Sequence, residues 1–391
     1  MASPVDTSVK VFYSTMSGAP QGFQGVIGSS LPVILACLVT GFDEVTLTSL
    51  TVSGGVATAT FPSTHSAVPH SVVLIAGAGG AGLGVLNGEQ KVVTRVGNTV
   101  TFATTAPNGT ATGPVTMKMA PAGWTQEYTG TNLVALRPGD VSGNRHYLRL
   151  QDTATTTLRA LGYESMSAIS TGVGQFPTTA QFSGGCYWPK SDTANSTPNP
   201  WMIVADGKRM YLGVAVGYSS SPTYTAMNLV MFGDFTPYKK TADSFSTLLS
   251  LGGSAAFAWD ASLGYGAVSG VGWSPRPYTG VGTSVSMNAF NSLGMSGLSG
   301  QTSYFGNYPG LADGLYLSKT LIAHDLATSG PRGSLPGLWL TPQYLVAGTF
   351  VTGDLVTGGG ETAGRTLAAM LVAISSTGNA GAVLFDVTGP W

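Results

Sequence analysis

Charge is scarce in this sequence. Lysine and arginine number 17 and aspartate and glutamate 18 in 391 residues, 9% of the chain, against about 25% in an ordinary soluble domain. The cations are scattered, with Lys208-Arg209 and Lys239-Lys240 the only adjacent pairs, and the formal net charge is −1. No basic stripe exists to release counterions from a polyanion, so direct DNA or RNA binding is not expected.

Long apolar runs are missing too. The longest, LPVILACLV, has nine residues, about half a membrane span, so membrane insertion is not expected. The opening MASPVDTSVKVFYSTMSGAP has no basic stretch followed by an apolar one, and it does not read as a secretory signal. Cysteine is nearly absent. Cys37 and Cys186 stand far apart, which leaves a disulfide open but fits a reduced, cytosolically made chain better.

Glycine and aromatic residues are plentiful. There are 55 glycines, 15 tyrosines, 15 phenylalanines and 7 tryptophans, and 43% of the chain is hydrophobic. Such a chain can bury a core, which excludes the disordered class. It has little charge with which to solvate a free surface, and the expectation is a surface covered by copies of itself or by partners.

The pattern along the chain is β. One helix is expected where Ser30 can cap, Pro32 suits the first turn and the apolar run to Val39 stops at Gly41. From Ser49 to Pro121 the chain reads as short strands and tight turns: GVATATF, SVVLIA, then VVTRV and TVTF around Gly97-Asn98. HYLRLQD and TTTLRAL flank a Thr-rich turn, and WMIVA and KRMYLGVAV flank Asp206-Gly207, the strongest hairpin signal. A short helix is expected near Ala242 to Leu251, and irregular chain from Ser329 to Pro342, which holds three prolines and three glycines. Arg365 to Ile374 fits helix or strand, and GAVLFDV fits a strand. The expected fold is mainly β with few short helices. A small β-barrel or sandwich unit, 49–121, is inserted in a larger β-rich domain made of 1–48 and 122–391.

Motifs that carry chemistry are thin. Gly77-Ala78-Gly79-Gly80-Ala81-Gly82 is a literal G-x-G-x-x-G after a strand, but a turn and β-alternation come next where a dinucleotide site needs a helix and an acid. A hairpin loop is the better reading. His65 and His70 are five apart with no cysteine or acid beside them, and read as loop histidines rather than zinc ligands. His324 and Asp325 are adjacent, and on a strand they would point to opposite faces. For glycan hydrolysis, which needs two carboxylates, the available acids are Asp206, Asp234, Asp260, Asp325 and Glu361. Asp206 is better explained by its turn, and spacing does not pair Asp234 with Asp260. Tyr187, Trp188, Trp201, Trp259, Trp273, Tyr278, Trp339 and Trp391 are either core fillers or interface anchors. No catalytic, cofactor-binding or metal residue is assigned.

Fragments spread over nearly the whole chain resemble a family of tailed-bacteriophage and prophage virion proteins. They include VKVFYSTMSGAP, ACLVTGF, SLTVSGGVATAT, TATGPVTMKMAPAGW, YLRLQDT, GYESMSAISTG, GCYWPKS, PWMIVADGKRMYLGV, FGDFTPY, PRGSLPGLW and VLFDVTGPW. The inserted β-unit is similar to a small barrel widespread in phage tail proteins, and the Gly-Ala stretch at 77–84 is an addition to the family pattern. The resemblance implies a non-enzymatic, tail-associated virion protein in several copies, contacting itself and other virion proteins. It supplies no catalytic residues. The alternatives are a receptor- or glycan-binding tail protein that contacts host-surface glycan, a capsid decoration protein and, more remotely, a glycan-degrading tail enzyme.

Overall fold

The computed structural model describes residues 3–239, 241, 243, 245–250, 263, 270–291, 306–310, 314–324, 330–346, 348–373 and 380–391. The fold is mainly β, with antiparallel sheets and few short helical turns.

The largest sheet has 13 strands and runs from Lys10–Tyr13 at one end of its path to Leu355–Thr357 at the other. Three of its strands, Trp201–Ala205, Arg209–Val214 and Asn228–Asp234, are buried along their whole length. Alternate residues on a strand point to opposite faces. Trp201, Ile203, Met210, Leu212, Val230 and Phe232 accordingly enter one core, while Met202, Val204, Tyr211, Leu229 and Met231 enter a second. A wall wetted on neither side has no reason to alternate in polarity, which is why WMIVA and LVMF read as continuous apolar runs.

The second core is closed by later strands of the same sheet, through Leu338, Ala368, Met370, Val383 and Phe385. The sheet therefore coils until its first strands face its last. Tyr211 and Phe385 meet with ring centroids 5.1 Å apart. Met227 bridges to the Thr366–Ala373 strand, donating to Leu371 O at 2.9 Å and accepting from Ala373 N at 2.9 Å. A Cβ at Gly213 would come within 2.6 Å of the Met370 sulfur, so a larger residue there would have to displace the end of that side chain.

The first core is covered by the remaining early elements. Strands of residues 42–119 form a four-stranded and a five-stranded sheet that pair only within themselves among the described strands. A further five-stranded sheet spans Thr125–Gly130 to Cys186–Pro189. Side chains from all three, such as Phe102, Met117 and Trp188, run into one buried cluster. The Gly97-Asn98 hairpin forms with Val96 opposite Thr99, and the Asp206-Gly207 hairpin with Ala205 opposite Met210. The 365–374 segment resolves as the strand Thr366–Ala373; Ile374 lies outside the described residues.

The expected helix is present but only half α-helical. Leu31–Leu35 is α and Ala36–Thr40 widens to π before Gly41 at φ 72°. The Ser30 side chain caps nothing; its backbone N–H donates to Asp152 Oδ2 at 2.8 Å.

Two expectations are overturned. Ser246–Leu249, inside the expected helix near Ala242, is a strand between Asn228–Asp234 and Gly270–Ser274; Ala242, Ser244 and Leu251 lie outside the described residues. Its apolar pair sits in a sheet already built around it, and sheet packing overrides local preference. Ser329–Pro342 is not irregular: it contains the ten-residue strand Pro331–Leu340. Pro331 opens the strand, where no ladder donor is needed. Pro336 and Gly337 fall where the register jumps between Lys319↔Trp339 and Leu321↔Ser334. A bulge absorbs residues that a regular ladder would reject.

Candidate functional site

The Gly77–Gly82 motif is the connection of an antiparallel hairpin between Val72–Ala76 and Gly88–Lys91. Gly79 and Thr112 exchange backbone hydrogen bonds of 2.8 and 2.9 Å. The Asn87 side chain accepts from Ala78 N at 2.8 Å and donates to Ala78 O at 2.9 Å. After the motif the chain makes the single 3₁₀ turn Leu83–Leu86, not a helix that could present an anion site.

Both loop histidines stand in the connection before Val72–Ala76. His65 is buried against Phe61, accepts the Ala67 N–H at Nδ1 (3.0 Å), and has Asp43 Oδ2 at 3.9 Å from Nε2. Burial holds its pKa below the usual value, and Asp43 pulls the other way. No group of three or more His, Cys, Asp or Glu gathers for a metal among the described residues. Cys37 and Cys186 are buried free thiols, and burial pushes Cys186 up to about 12.

Among the described residues, the carboxylates considered from sequence, Asp206, Asp234 and Glu361, do not share an open site. Asp206 Oδ1 accepts from the backbone of Lys208 and Arg209, each at 2.8 Å, and so holds its own turn. Asp234 accepts from Asn144 N at 2.9 Å and Asn144 Nδ2 at 3.1 Å. It is buried, and burial raises its pKa against the opposing pull of those hydrogen bonds. Trp259, Asp260 and Asp325 lie outside the described residues, as does the His324 side chain. Trp188, Trp201 and Trp273 are core residues.

One open feature among the described residues is a cleft of about 810 Å³. Its floor is Leu317, Val356 and Leu367, which belong to or pack on a third hydrophobic cluster. Three aromatic side chains line it: Trp339, Tyr316 and Tyr238, the tyrosines 49% and 57% exposed. Trp339 lies directly across the ladder from Lys319. Cross-strand neighbours on one face meet, and the Lys319 ammonium sits 5.2 Å from the Trp339 ring centroid. The same ammonium is 2.7 Å from Glu361 Oε2. Glu361 stands on the turn Gly360–Thr362, which is closed by Gly359 N donating to Thr362 Oγ1 at 3.1 Å.

Buried polar groups fix the aromatic walls. Gln343, fully buried, accepts from Tyr316 N at 2.8 Å and donates to Gly314 O at 2.8 Å. Tyr238 N donates to Arg332 O at 3.0 Å. The Arg332 guanidinium is itself buried in a fork around Asp243, with Nε 3.1 Å from both carboxylate oxygens. Tyr238 also lines a smaller cavity of about 100 Å³ with Lys239 and Tyr278. The cleft thus offers flat aromatic faces beside one ammonium and one carboxylate that neutralise each other, and Glu361 is the single carboxylate lining it among the described residues.

Sequence reasoning names Trp339 and Tyr278 as aromatic core fillers or anchors and Glu361 as an available acid, and misses Tyr238, Tyr316 and Lys319. Tyr238 and Lys319 stand about eighty residues apart in the chain, and only the register jump at Pro336 brings Trp339 opposite Lys319. Among the described residues, no helix is long and apolar enough to cross a membrane. No protein-family model matches the chain, and no curated protein is significantly similar to it.

Proposed function

We propose that this chain is a non-enzymatic structural component of a tailed-phage virion, tail-associated and present in several copies, that acts through interfaces with itself and with other virion proteins. Within it, 49–121 is read as a small barrel-like or sandwich unit inserted in the larger β-rich domain of 1–48 and 122–391. The phage assignment rests on the sequence resemblance.

The observation that carries the interface reading is where the charge sits. The chain has 17 cationic and 18 anionic side chains, and among the described residues five of each are buried: Lys10, Lys91, Lys190, Arg209 and Arg332, with Asp152, Asp206, Asp234, Asp243 and Asp386. A scarce resource for solvation is turned inward. Val141, Val173 and Val281, meanwhile, are at least 70% exposed. Scattered exposed valines alone are ordinary; on a surface this poor in charge they fit faces that neighbours cover.

Mass spectrometry of purified particles tests the reading. The expected result is this chain in the particle at several copies, and loss of assembled particles on deletion of its gene. A chain made during infection but absent from purified particles overturns it. A second reading, a receptor- or glycan-binding tail protein, is favoured by the aromatic cleft. Particles that assemble without the chain but fail to adsorb would support that reading over the first.

A further inference from the structure

We propose that the cleft walled by Tyr238, Tyr316 and Trp339 is a binding site for a neutral oligosaccharide, with Lys319 and Glu361 as its hydroxyl-recognising pair. This inference deepens the second reading and rests on it; it does not depend on the chain being a scaffold.

Three properties of the site select that ligand class. First, the two tyrosine faces are half exposed rather than sunk in the core. Half-exposed rings with one apolar face and a polar edge suit a ligand that is itself amphipathic. A pyranose ring is one, because its C–H bonds gather on one face and its hydroxyls at the rim. Second, the polar groups come as an adjacent donor and acceptor, the Lys319 ammonium and the Glu361 carboxylate at 2.7 Å. A hydroxyl donates and accepts at once, so neighbouring hydroxyls can engage both groups without leaving either charge unpaired. Third, the charges cancel within the cleft, and Arg332 beyond it is spent on Asp243. Within the cleft a phosphate-bearing ligand would find no surplus of positive charge; the Lys239 ammonium belongs to the adjoining cavity, over the Tyr278 ring.

Size agrees with this assignment. A volume of about 810 Å³ lies in the upper part of the range for small-molecule sites, about 300–1,000 Å³, and leaves room for more than one sugar ring. Tyr238 continues into the neighbouring cavity, where the Lys239 ammonium lies 5.4 Å from the Tyr278 ring centroid. The aromatic surface therefore extends past one cleft, as a chain of sugars would use it. A proline-rich peptide also docks on aromatic grooves, but it offers mainly carbonyl acceptors and would give the Glu361 carboxylate no donor beyond the Lys319 ammonium it already has. Preformed backbone adds to the argument: the buried Gln343 side chain anchors the Tyr316 N–H and the Arg332 carbonyl anchors the Tyr238 N–H before any ligand arrives.

The test uses the full chain against an array of neutral hexose and N-acetylhexosamine oligomers, with a proline decapeptide and a polyphosphate as the competing classes. Hits are measured by calorimetry and tryptophan emission. The expected result is a neutral oligosaccharide bound with a Kd between about 1 μM and 1 mM, and affinity about tenfold weaker in Tyr316→Ala and in Trp339→Ala. Trp339 also packs on the third cluster, so its variant is read only if folded. Tyr316 is half exposed, and its variant keeps the native thermal midpoint. No oligosaccharide bound, binding unaltered by Tyr316→Ala, or capture of the proline peptide or polyphosphate instead overturns the inference. Incorporation into particles is measured separately, so a virion protein without glycan affinity refutes the cleft assignment and leaves the structural role standing.

Discussion

Asp152 and Lys190 form an ion pair with no solvent exposure on either side chain. Each is tied further: Lys190 Nζ donates to Ala154 O at 2.8 Å, and Asp152 Oδ2 accepts the Ser30 N–H at 2.8 Å at the start of the only α-helical turn among the described residues. One carboxylate thus neutralises a buried cation and anchors a helix start more than a hundred residues away. Asp152→Asn keeps the shape but strands the ammonium in the interior, and is expected to cost about 3–5 kcal/mol. Asp152→Leu combined with Lys190→Met removes both charges and is expected to recover most of that loss, less the bond to Ser30. Denaturant unfolding of the single and double variants measures both effects. A single variant within experimental error of the parent would contradict them.

Gly337 sits in the bulge of Pro331–Leu340 at φ +69°, and a methyl group there would come 2.2 Å from the Trp391 ring. That ring packs edge-on to Tyr211 at 5.7 Å, and Trp391 Nε1 donates to Asp386 O at 2.7 Å. Gly337→Ala is expected to destabilise by about 2–3 kcal/mol, from backbone strain together with displacement of the indole. Thermal unfolding and the emission of Trp391 report the two parts.

His146 is buried edge-on to Phe176, and burial lowers its pKa to about 4, with the nearby Glu164 pulling upward and Arg276 and Arg137 downward. In the unfolded chain the imidazole titrates near 6.5. Between these values the unfolded state binds the proton and the folded state does not, so stability rises with pH. It is complete above about 6.5 and falls as pH drops toward 4, by up to about 3 kcal/mol for this group. His146→Gln is expected to flatten that part of the stability–pH curve. An unchanged acid limb would refute the assignment.

Lys91 gives the alkaline counterpart. It is buried, its ammonium donates to the carbonyls of Val387 and Thr388, and desolvation lowers its pKa to about 8. From pH 8 to about 10.5 the unfolded chain holds the proton more tightly. Stability should therefore increase across that window relative to Lys91→Met, which has no proton to lose. The difference between the two proteins, followed by denaturation from pH 7 to 10, measures the effect.

Local signals make much of the β architecture legible. Asp206-Gly207 announces its hairpin because the turn chemistry is contained in four residues, with Asp206 accepting the hydrogen bonds that close it. The continuous run in Trp201–Ala205 is readable as a strand, though not as a strand facing two cores. The segment around Pro331–Leu340 misleads because a bulge reverses the meaning of Pro336 and Gly337: residues that end a regular ladder serve a broken one. The cleft is illegible for a different reason. Tyr238, Tyr316, Trp339 and Glu361 come from separate strands and turns, and their meeting depends on long-range register that no window of sequence contains. Gln343 and Arg332, which set the walls, carry no sequence pattern that marks them as positioning residues.

The three strands between the two cores have a consequence for synthesis. The face carrying Trp201, Ile203, Leu212 and Phe232 packs chiefly on chain made before it, whereas the face carrying Met202, Tyr211, Leu229 and Met231 packs largely on strands from Met287 to Phe385. While the ribosome is still translating the last third of the message, that second face has no cover. An apolar sheet surface held open on a nascent chain attracts chaperones or other copies of itself. The yield of soluble protein should therefore depend on the speed of translation through the codons after Asn228, a property that the finished fold conceals.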